Sequence, residues 1–453
     1  MALENVDCVV IGAGIAGLAC AYYLERAGRQ VVIVERSSRI GGWIETVSEA
    51  GFSLETGPNT ALAKSELLTL ISELGLDSQT ITASAASKTR YVARELSKPL
   101  IPFPLSATQA LTTDIVSSWG KLRLLLEPFI PRGKREDVSF EEFCQHRFGR
   151  EVTKKVLAAV INGILAPDIA KLSARSAFPL LWELEQKHGS IVRGLIARRG
   201  QKTHKPRIIS FNGGLNTLTE SLAAKLNAAV RTTTTVTAVT PQDSKSIAVD
   251  IEHPQLGQTR LLARQVIATE DTAACYPWLA KLNSSLAEEI KAIPYTSIGV
   301  VHFAAPSDNF KQPVRGFGFL VPPSAGLATL GTIFSSSLFP HVAPTGQVML
   351  TTFAGGMRNR EAADVNDPDK LARVRSEVST LLGAKSDLQV LRAAHVDRAI
   401  PNPALGHYQL IERLHLFQEQ VPTIRFLGNW VCGVSLNDRV REARSLAEGL
   451  RAR

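Results

Sequence analysis

The stretch VVIGAGIAGLACAYYLERAGRQVVIVER, Val9 to Arg36, decides the fold. Val6–Ile11 is an apolar run of strand length, Leu18–Arg26 reads as a helix ended by Gly28, and Val31–Val34 is a second strand closed by Glu35. Gly12, Gly14 and Gly17 stand between the first strand and the helix. In a β-α-β unit that spacing has a physical meaning: Gly12 permits the tight turn, Gly14 lets the backbone approach a pyrophosphate, and Gly17 lets helix and strand pack closely. Ile15 and Ala16 lie inside the turn and join the nucleotide-binding set. The diphosphate then sits on the helix N-terminus, where free N–H groups and the helix dipole favour negative charge. Ala21 and Leu24 are expected on the helix face turned to the sheet. Glu35 is placed to accept hydrogen bonds from ribose hydroxyls, and it would repel a 2′-phosphate, which disfavours NADP.

The following stretch, RSSRIGGWIETVSEAGFSLETGPN (36–59), brings a second glycine pair, Gly41–Gly42, soon after Glu35. By position it resembles the extended signature of the flavoprotein amine oxidase-like superfamily, which NAD dehydrogenases generally lack. The resemblance implies FAD, with Arg36, Arg39, Gly41, Gly42, Trp43, Gly57, Pro58 and Asn59 in the cofactor-binding set. Distant segments are expected to return to the same nucleotide. Residues 208–225 read as strand, glycine turn and helix, 232–239 as a β-rich strand, and QVIATE (265–270) as a buried strand; Val236 is placed near the adenine, and Thr269 joins the cofactor-binding set. Residues 424–453 repeat the opening logic, with a strand, Gly428, Gly433 and an amphipathic helix, so Asn429, Val434 and Ser435 are further cofactor candidates.

Composition excludes several classes. At 453 residues, 45% apolar and 21% charged, the chain is globular and long enough for two or three domains. The five cysteines are scattered with no CxxC pair, which fits a reducing compartment and no thiolate metal site. HExxH and GxSxG are absent, so no metal is expected and the chemistry is expected to come from the cofactor. The opening MALENVD carries acid and no base, and no 18-residue apolar stretch exists, so neither a secretory signal nor a transmembrane segment is expected. Residues 120–210 hold 18 Lys+Arg against 9 Asp+Glu, leaving 33 of each elsewhere. The whole net charge of +9 is therefore local. Two readings stay open: a solvated basic face, or a face turned to anionic lipid or an acidic ligand. Nucleic acid is disfavoured, because no recognition motif accompanies the charge. Leu122, Leu124, Leu125, Leu126, Phe129 and Ile130 form an apolar cluster beside these bases, by default core, alternatively a membrane-surface contact.

Taken end to end, the chain resembles the oxygen-dependent protoporphyrinogen oxidases. The blocks LETGPNTALAKSE (54–66), KTRYVAR (88–94), EEFCQHRFGREV (141–152), LSARSAFPLLWELEQKHGSIVRG (172–194), SFNGGLNTL (210–218), GFGFLVP (316–322), TLGTIFSS (329–336), TTFAGG (351–356) and RAIPNPALGH (398–407) carry the resemblance by their joint order. It implies a six-electron oxidation of protoporphyrinogen IX to protoporphyrin IX, FAD taking two electrons at a time and O2 reoxidising it to give H2O2, within haem or chlorophyll synthesis. It implies Arg90 on a propionate, Leu320, Ile333 and Phe353 against the macrocycle, and Asn59 near flavin and substrate, with no catalytic acid–base side chain. One departure is GILAPD (163–168), where plant-type relatives carry a glycine pair; Ile333, replacing a leucine, is another. Coproporphyrinogen III oxidation is the nearest alternative, then an amine oxidase or carotenoid desaturase; a flavin-binding protein without turnover is a third class. The expected partners are a ferrochelatase or magnesium chelatase and a second copy in a homodimer, with a cytoplasmic protein peripherally held at a membrane.

The expected fold is α/β (mixed α+β): a discontinuous Rossmann-like FAD domain of the glutathione reductase/amine oxidase type (1–87, 206–290 and 425–453), a helical basic domain (88–205) and a mostly antiparallel substrate sheet (291–424).

Overall fold

The computed structural model describes residues 2–104, 109, 112–198 and 205–451. Arg199 and Lys202 of the basic stretch, and Ala452 and Arg453 at the end of the terminal segment, lie outside the described residues. The opening unit is β1 (Ala2–Ile11), α1 (Ile15–Arg26) and β2 (Val31–Val34). α1 starts three residues earlier than the apolar pattern suggested, directly after Gly14. Every residue from Ile15 to Leu24 is buried, Ala21 and Leu24 among them. The terminal helix Leu436–Arg451 packs on α1 from the other side, so this helix has no solvent face over those turns.

Strands from three remote parts of the chain merge into one sheet. β1 lies between β2 and Gly257–Ala268, both parallel to it, and Ile424–Phe426 pairs in parallel with Val266, Ile267 and Ala268 at the end of the latter. Ala229–Arg231 pairs in parallel with β2 at the other edge. Thr235–Pro241, Ile247–His253 and Gly257–Ala268 form an antiparallel meander. The stretch 232–239 thus enters the sheet only at Thr235, because Thr233 sits at φ +52 and breaks the extended run. Parallel strands need both faces covered, and α1 on one side and Thr272–Leu282 with Ser284–Lys291 on the other supply that cover.

The second sheet runs in the order Gln389–Pro401, Tyr295–Pro306, Gln347–Gly355, Thr329–Ile333, Gly318–Leu320, Arg90–Val92, Ile101–Pro102. It is antiparallel except where Arg90–Val92 joins Gly318–Leu320. The segment opening at residue 88 therefore enters as two short strands of this sheet before turning helical. One face packs on the helix Pro368–Leu382 through Phe303, Phe319, Phe334, Val374 and Val378. The other face meets the hairpin strand Phe52–Glu55 through Ala304, Met349 and Leu54.

The helical region reverses one expectation. In Ser118–Leu125 and the turn after it, Leu122, Leu125, Leu126 and Phe129 are exposed while Glu127 is fully buried. The apolar cluster is not core. Its inward-facing member is an acid, held by Arg147 from the helix Phe140–Phe148. The departure at GILAPD also has a structural signature. Ala166 caps the helix Ala158–Leu165 in the left-handed region, at φ +45, where a Cβ costs about 1–2 kcal/mol. Ala166→Gly is expected to raise unfolding stability by about 0.5–1 kcal/mol, read in a denaturant titration; a loss of stability would contradict the strain.

Candidate functional site

The glycine turn is built by exclusion. A Cβ on Gly17 would stand 1.9 Å from the Gly12 carbonyl oxygen, so α1 approaches β1 as closely as backbone allows. Gly12 has φ +104, and a Cβ there would meet Thr269 Oγ1 at 2.7 Å. That hydroxyl donates to the carbonyls of Ile11 (2.8 Å) and Gly12 (3.2 Å), tying the end of Gly257–Ala268 to the turn. Ile15 and Ala16 are buried at the start of α1.

The second glycine pair folds back onto the first motif. Gly41 N–H donates to Ala13 O at 2.8 Å, Gly14 and Gly41 form an isolated parallel bridge, and a Cβ on Gly42 would stand 3.2 Å from Gly14 Cα. Glu35 is 8% exposed, and its carboxylate accepts from Ala13 N–H (2.7 Å) and Ser37 N–H (2.8 Å). Each oxygen keeps a lone pair for a further donor. Arg36 pairs with Asp271 at 3.2 Å, while Arg39 pairs with Glu45 at 3.3 Å and donates to Ile40 and Ile44 carbonyls. Trp43 is 52% exposed, and its carbonyl would be 1.7 Å from a Cβ on Gly57, so the two segments touch backbone to backbone. Pro58 and Asn59 follow directly; Asn59 Nδ2 donates to Gly57 O at 3.0 Å. Val236 is half-buried on Thr235–Pro241 and packed on the sheet's second face.

The C-terminal turn closes against the same corner. Leu427 N–H donates to Ala268 O at 2.8 Å, and Gly428 caps the short helix Asn429–Cys432. Gly433 has φ +87, Val434 is 40% exposed, and Ser435 caps the last helix by accepting from Asp438 N–H at 3.1 Å. A cleft of about 500 Å³ bordered by Trp182, His407 and Trp430 reaches Asn429, Gly433 and Val434. Residues 12–17, 35–43, 57–59, 269 and 428–435, remote in sequence, are thus joined by direct backbone or hydroxyl contacts, and the segment leading into Val236 joins them where Thr233 and Thr234 N–H donate to the Ser37 (2.8 Å) and Glu35 (2.9 Å) carbonyls.

The substrate candidates meet on the second sheet. Arg90 is paired with Gly318, and Gly318 with Ile333; in the next row Leu320 is paired with Gly331, and Gly331 with Phe353. Directly opposed and twice-removed residues share a face, so all four side chains stand on one face with glycine between each pair. All four are half-buried. The Arg90 guanidinium lies 4.5 Å over the Phe317 ring, and its Nε is buried without a hydrogen-bond partner. It makes no ion pair with a described acid, and burial lowers its pKa. The helix Ala158–Leu165 lies over Leu320: a Cβ on Gly163 would be 2.2 Å from Leu320 Cδ2.

Three contacts escaped the sequence reading. His302, 1% exposed, meets Glu55 O through Nε2 at 3.0 Å and so ties the segment leading to Asn59 to the face carrying Phe353. Burial pushes its pKa down to about 4, so the ring is neutral. Glu55 accepts from Leu215 N–H (2.8 Å) and Thr46 Oγ1 (2.9 Å), yet burial raises its carboxyl to about 7. A raised acid stabilises the fold fully below its unfolded value of 4.5, and loses that contribution as pH climbs to about 7. Glu55→Gln is expected to flatten stability between those pH values in urea titrations; an unchanged slope would contradict it. Glu270, half-buried, accepts from Trp278 Nε1 at 2.6 Å and through its carbonyl from Trp430 Nε1 at 3.3 Å, bracing the 428 turn against Thr269; burial raises its carboxyl to about 8. No motif marks any of the three, because each works through a partner remote in sequence.

The profile of the flavin containing amine oxidoreductase family matches residues 15–450. The chain belongs to that family, and it is an oxidoreductase with FAD as cofactor. It is 31% identical to a human protoporphyrinogen oxidase over 97% of both chains. It is 30% identical to a chloroplastic protoporphyrinogen oxidase of Oryza sativa subsp. japonica, over 97% of this chain and 87% of that one. A Bacillus subtilis coproporphyrinogen III oxidase is 27% identical over 96% of both. A solved structure from Exiguobacterium sp. 255-15 superposes with a TM-score of 0.79 at 23% identity, covering 99% of each chain, and shares the mixed α/β fold. The residues present fit a dinucleotide: the corner formed by Gly12, Gly14, Gly41 and Gly42 is a cradle that side chains would fill, and Glu35 holds free acceptor capacity beside it. Among the described residues no cluster of His, Cys, Asp and Glu could hold a metal, and no helix is long and apolar enough to cross a membrane.

Proposed function

We propose that this chain oxidises protoporphyrinogen IX to protoporphyrin IX, with O2 as the final acceptor and H2O2 as its product. The observation that carries the reading is Arg90, a half-buried guanidinium with no acid partner, at the end of an apolar face made by Leu320, Ile333 and Phe353. An amphipathic macrocycle with carboxylate arms matches that pattern, since a planar guanidinium takes a carboxylate bidentately. The named relatives support it.

In this reading Gly12–Gly17, Glu35, Arg36, Arg39, Gly41–Trp43, Gly57–Asn59, Val236, Thr269 and Gly428–Ser435 hold the FAD. The bound flavin supplies a two-electron acceptor that O2 restores. The chain's own residues orient and desolvate. Arg90 fixes one propionate, and Gly318 and Gly331 leave a flat floor. Leu320, Ile333 and Phe353 exclude water, and Asn59, held through Gly57 O, follows the Glu55 backbone that His302 ties to the substrate sheet. Orientation of this kind supplies much of the rate where no acid–base side chain is placed. Arg90→Ala is expected to raise KM about 10- to 100-fold, the worth of a charged hydrogen-bonded pair, with a smaller change in kcat, and Arg90→Lys to recover part of it. An unchanged KM would remove the anchor from the account.

A second reading, coproporphyrinogen III as substrate, is favoured by the Bacillus subtilis relative and by the basic excess of 120–210. Protoporphyrin IX, a flat and largely apolar macrocycle with two carboxylate arms, would pass to a chelatase. Peripheral membrane association is part of the proposal, supported by exposed Trp119, Leu122, Leu125, Phe129 and Ile196 beside basic side chains, with Arg193 stacked 5.9 Å from Phe129. Binding to vesicles of anionic lipid is expected to fall steeply with added salt, because surface charge is screened within about 10 Å at 0.1 M. No sedimentation with such vesicles even at low salt would contradict it.

A further inference from the structure

Arg439 lies one turn into the helix Leu436–Arg451 and is 4% exposed. Its guanidinium donates to the carbonyl of Leu427 at 3.1 Å and to that of Gly433, so it spans the turn from which Gly428–Ser435 project. No described carboxylate pairs with it. The acids beside it in the helix, Asp438 and Glu442, are engaged by Arg441 at 2.7 and 3.1 Å. Burial lowers the Arg439 pKa to about 10, so the group stays charged at neutral pH.

A buried charge with dipoles but no counter-ion is costly. The turn that holds this one is continuous with the nucleotide corner. Leu427 bonds Ala268, and the next residue, Thr269, bonds Ile11 and Gly12. The anion due at that corner is a diphosphate.

We propose that Arg439 is a positioning residue whose buried charge is matched by the diphosphate of FAD, so that cofactor binding and the ordering of the 427–433 turn are coupled. The inference rests on the placement of FAD at this turn. Its content is thermodynamic: the charge burdens the cofactor-free protein and is compensated in the loaded one.

The test uses the full chain, stripped of FAD and reconstituted, as wild type, Arg439→Gln and Arg439→Lys. FAD affinity is read from quenching of flavin fluorescence, and melting temperature with and without FAD. Arg439→Gln, which keeps a donor and loses the charge, is expected to bind FAD about tenfold more weakly and to show a smaller rise in melting temperature on loading, while its stripped form melts no lower than wild type. Arg439→Lys is expected to stay within about threefold of wild-type affinity. Unchanged affinity in Arg439→Gln, or equal loss of stability in both forms, would reduce Arg439 to a structural contact and overturn the proposal. So would failure of the stripped Gln form to fold. Wild-type protein that takes up no FAD would instead sink the cofactor placement, and this inference with it.

Discussion

Gly17→Ala is expected to yield folded protein with less than about a tenth of the wild-type flavin. The new methyl would sit 1.9 Å from the Gly12 carbonyl oxygen, far inside contact distance and against backbone rather than a movable side chain. Relief requires α1 to move off β1. Overpacking a well-packed site costs about 1–3 kcal/mol, and about 1.4 kcal/mol is tenfold in affinity. The displaced elements carry Gly14 and the N–H groups of the helix start, and Glu35 is tied to this turn through Ala13. The fold survives because α1 remains clamped by the terminal helix on its far side. The ratio of flavin to protein absorbance in purified samples, beside the far-ultraviolet dichroism, measures both. A fully yellow Gly17→Ala protein would show that the turn does not carry the nucleotide. Gly28→Ala is the control: a methyl there meets nothing within 4 Å, so it is expected to cost stability through its φ of +81 and leave flavin content unchanged.

Arg147→Met is expected to cost about 3–5 kcal/mol in the helical region, the usual penalty for stranding buried acids. Arg147 is fully buried between Glu127, which it contacts through Nε at 2.7 Å, and Glu185 at 3.5 Å. It also donates to the carbonyls of Ile130 (2.9 Å) and Pro131 (3.2 Å). Burial opposes ionisation of Glu127, yet the Ser190 hydroxyl (2.5 Å), Arg147 and the Ile191 N–H together hold its carboxyl below the ordinary range. Removing the arginine leaves two acids in a dry site. Local proteolysis and hydrogen exchange of 118–198 are expected to rise while the flavin stays bound, because the cofactor corner lies in other segments. The double change Arg147→Met with Glu127→Leu is expected to recover part of the loss, since it leaves one stranded acid, Glu185, in place of two. A single variant as stable as wild type would contradict the buried ion set.

The nucleotide corner was legible because each signal in it is local: glycines at fixed offsets between a strand and a helix, an acid at the end of the next strand, a second glycine pair soon after. The register that unites Arg90, Leu320, Ile333 and Phe353 was not legible. Strand pairing between residues 90 and 318 is set by packing, and only the resemblance had grouped the four. The apolar cluster at 122–130 misled as to side. Alone, hydrophobicity points such residues inward, and nothing local announces that Glu127 takes the inner position because Arg147, twenty residues on, waits there. Arg439, His302 and Glu270 were invisible for the same reason. A lone charge or imidazole reads as solvated until the fold brings carbonyls to it.

The most direct test of the account is anaerobic mixing of the purified yellow protein with protoporphyrinogen IX and, separately, with coproporphyrinogen III. Flavin absorbance is followed first, and porphyrin fluorescence after air is admitted. The account predicts bleaching by protoporphyrinogen IX, followed by protoporphyrin fluorescence and H2O2 on adding air. Bleaching by coproporphyrinogen III alone would move the substrate to the second reading with site and cofactor unchanged. A flavin that stays oxidised with both would contradict porphyrinogen oxidation.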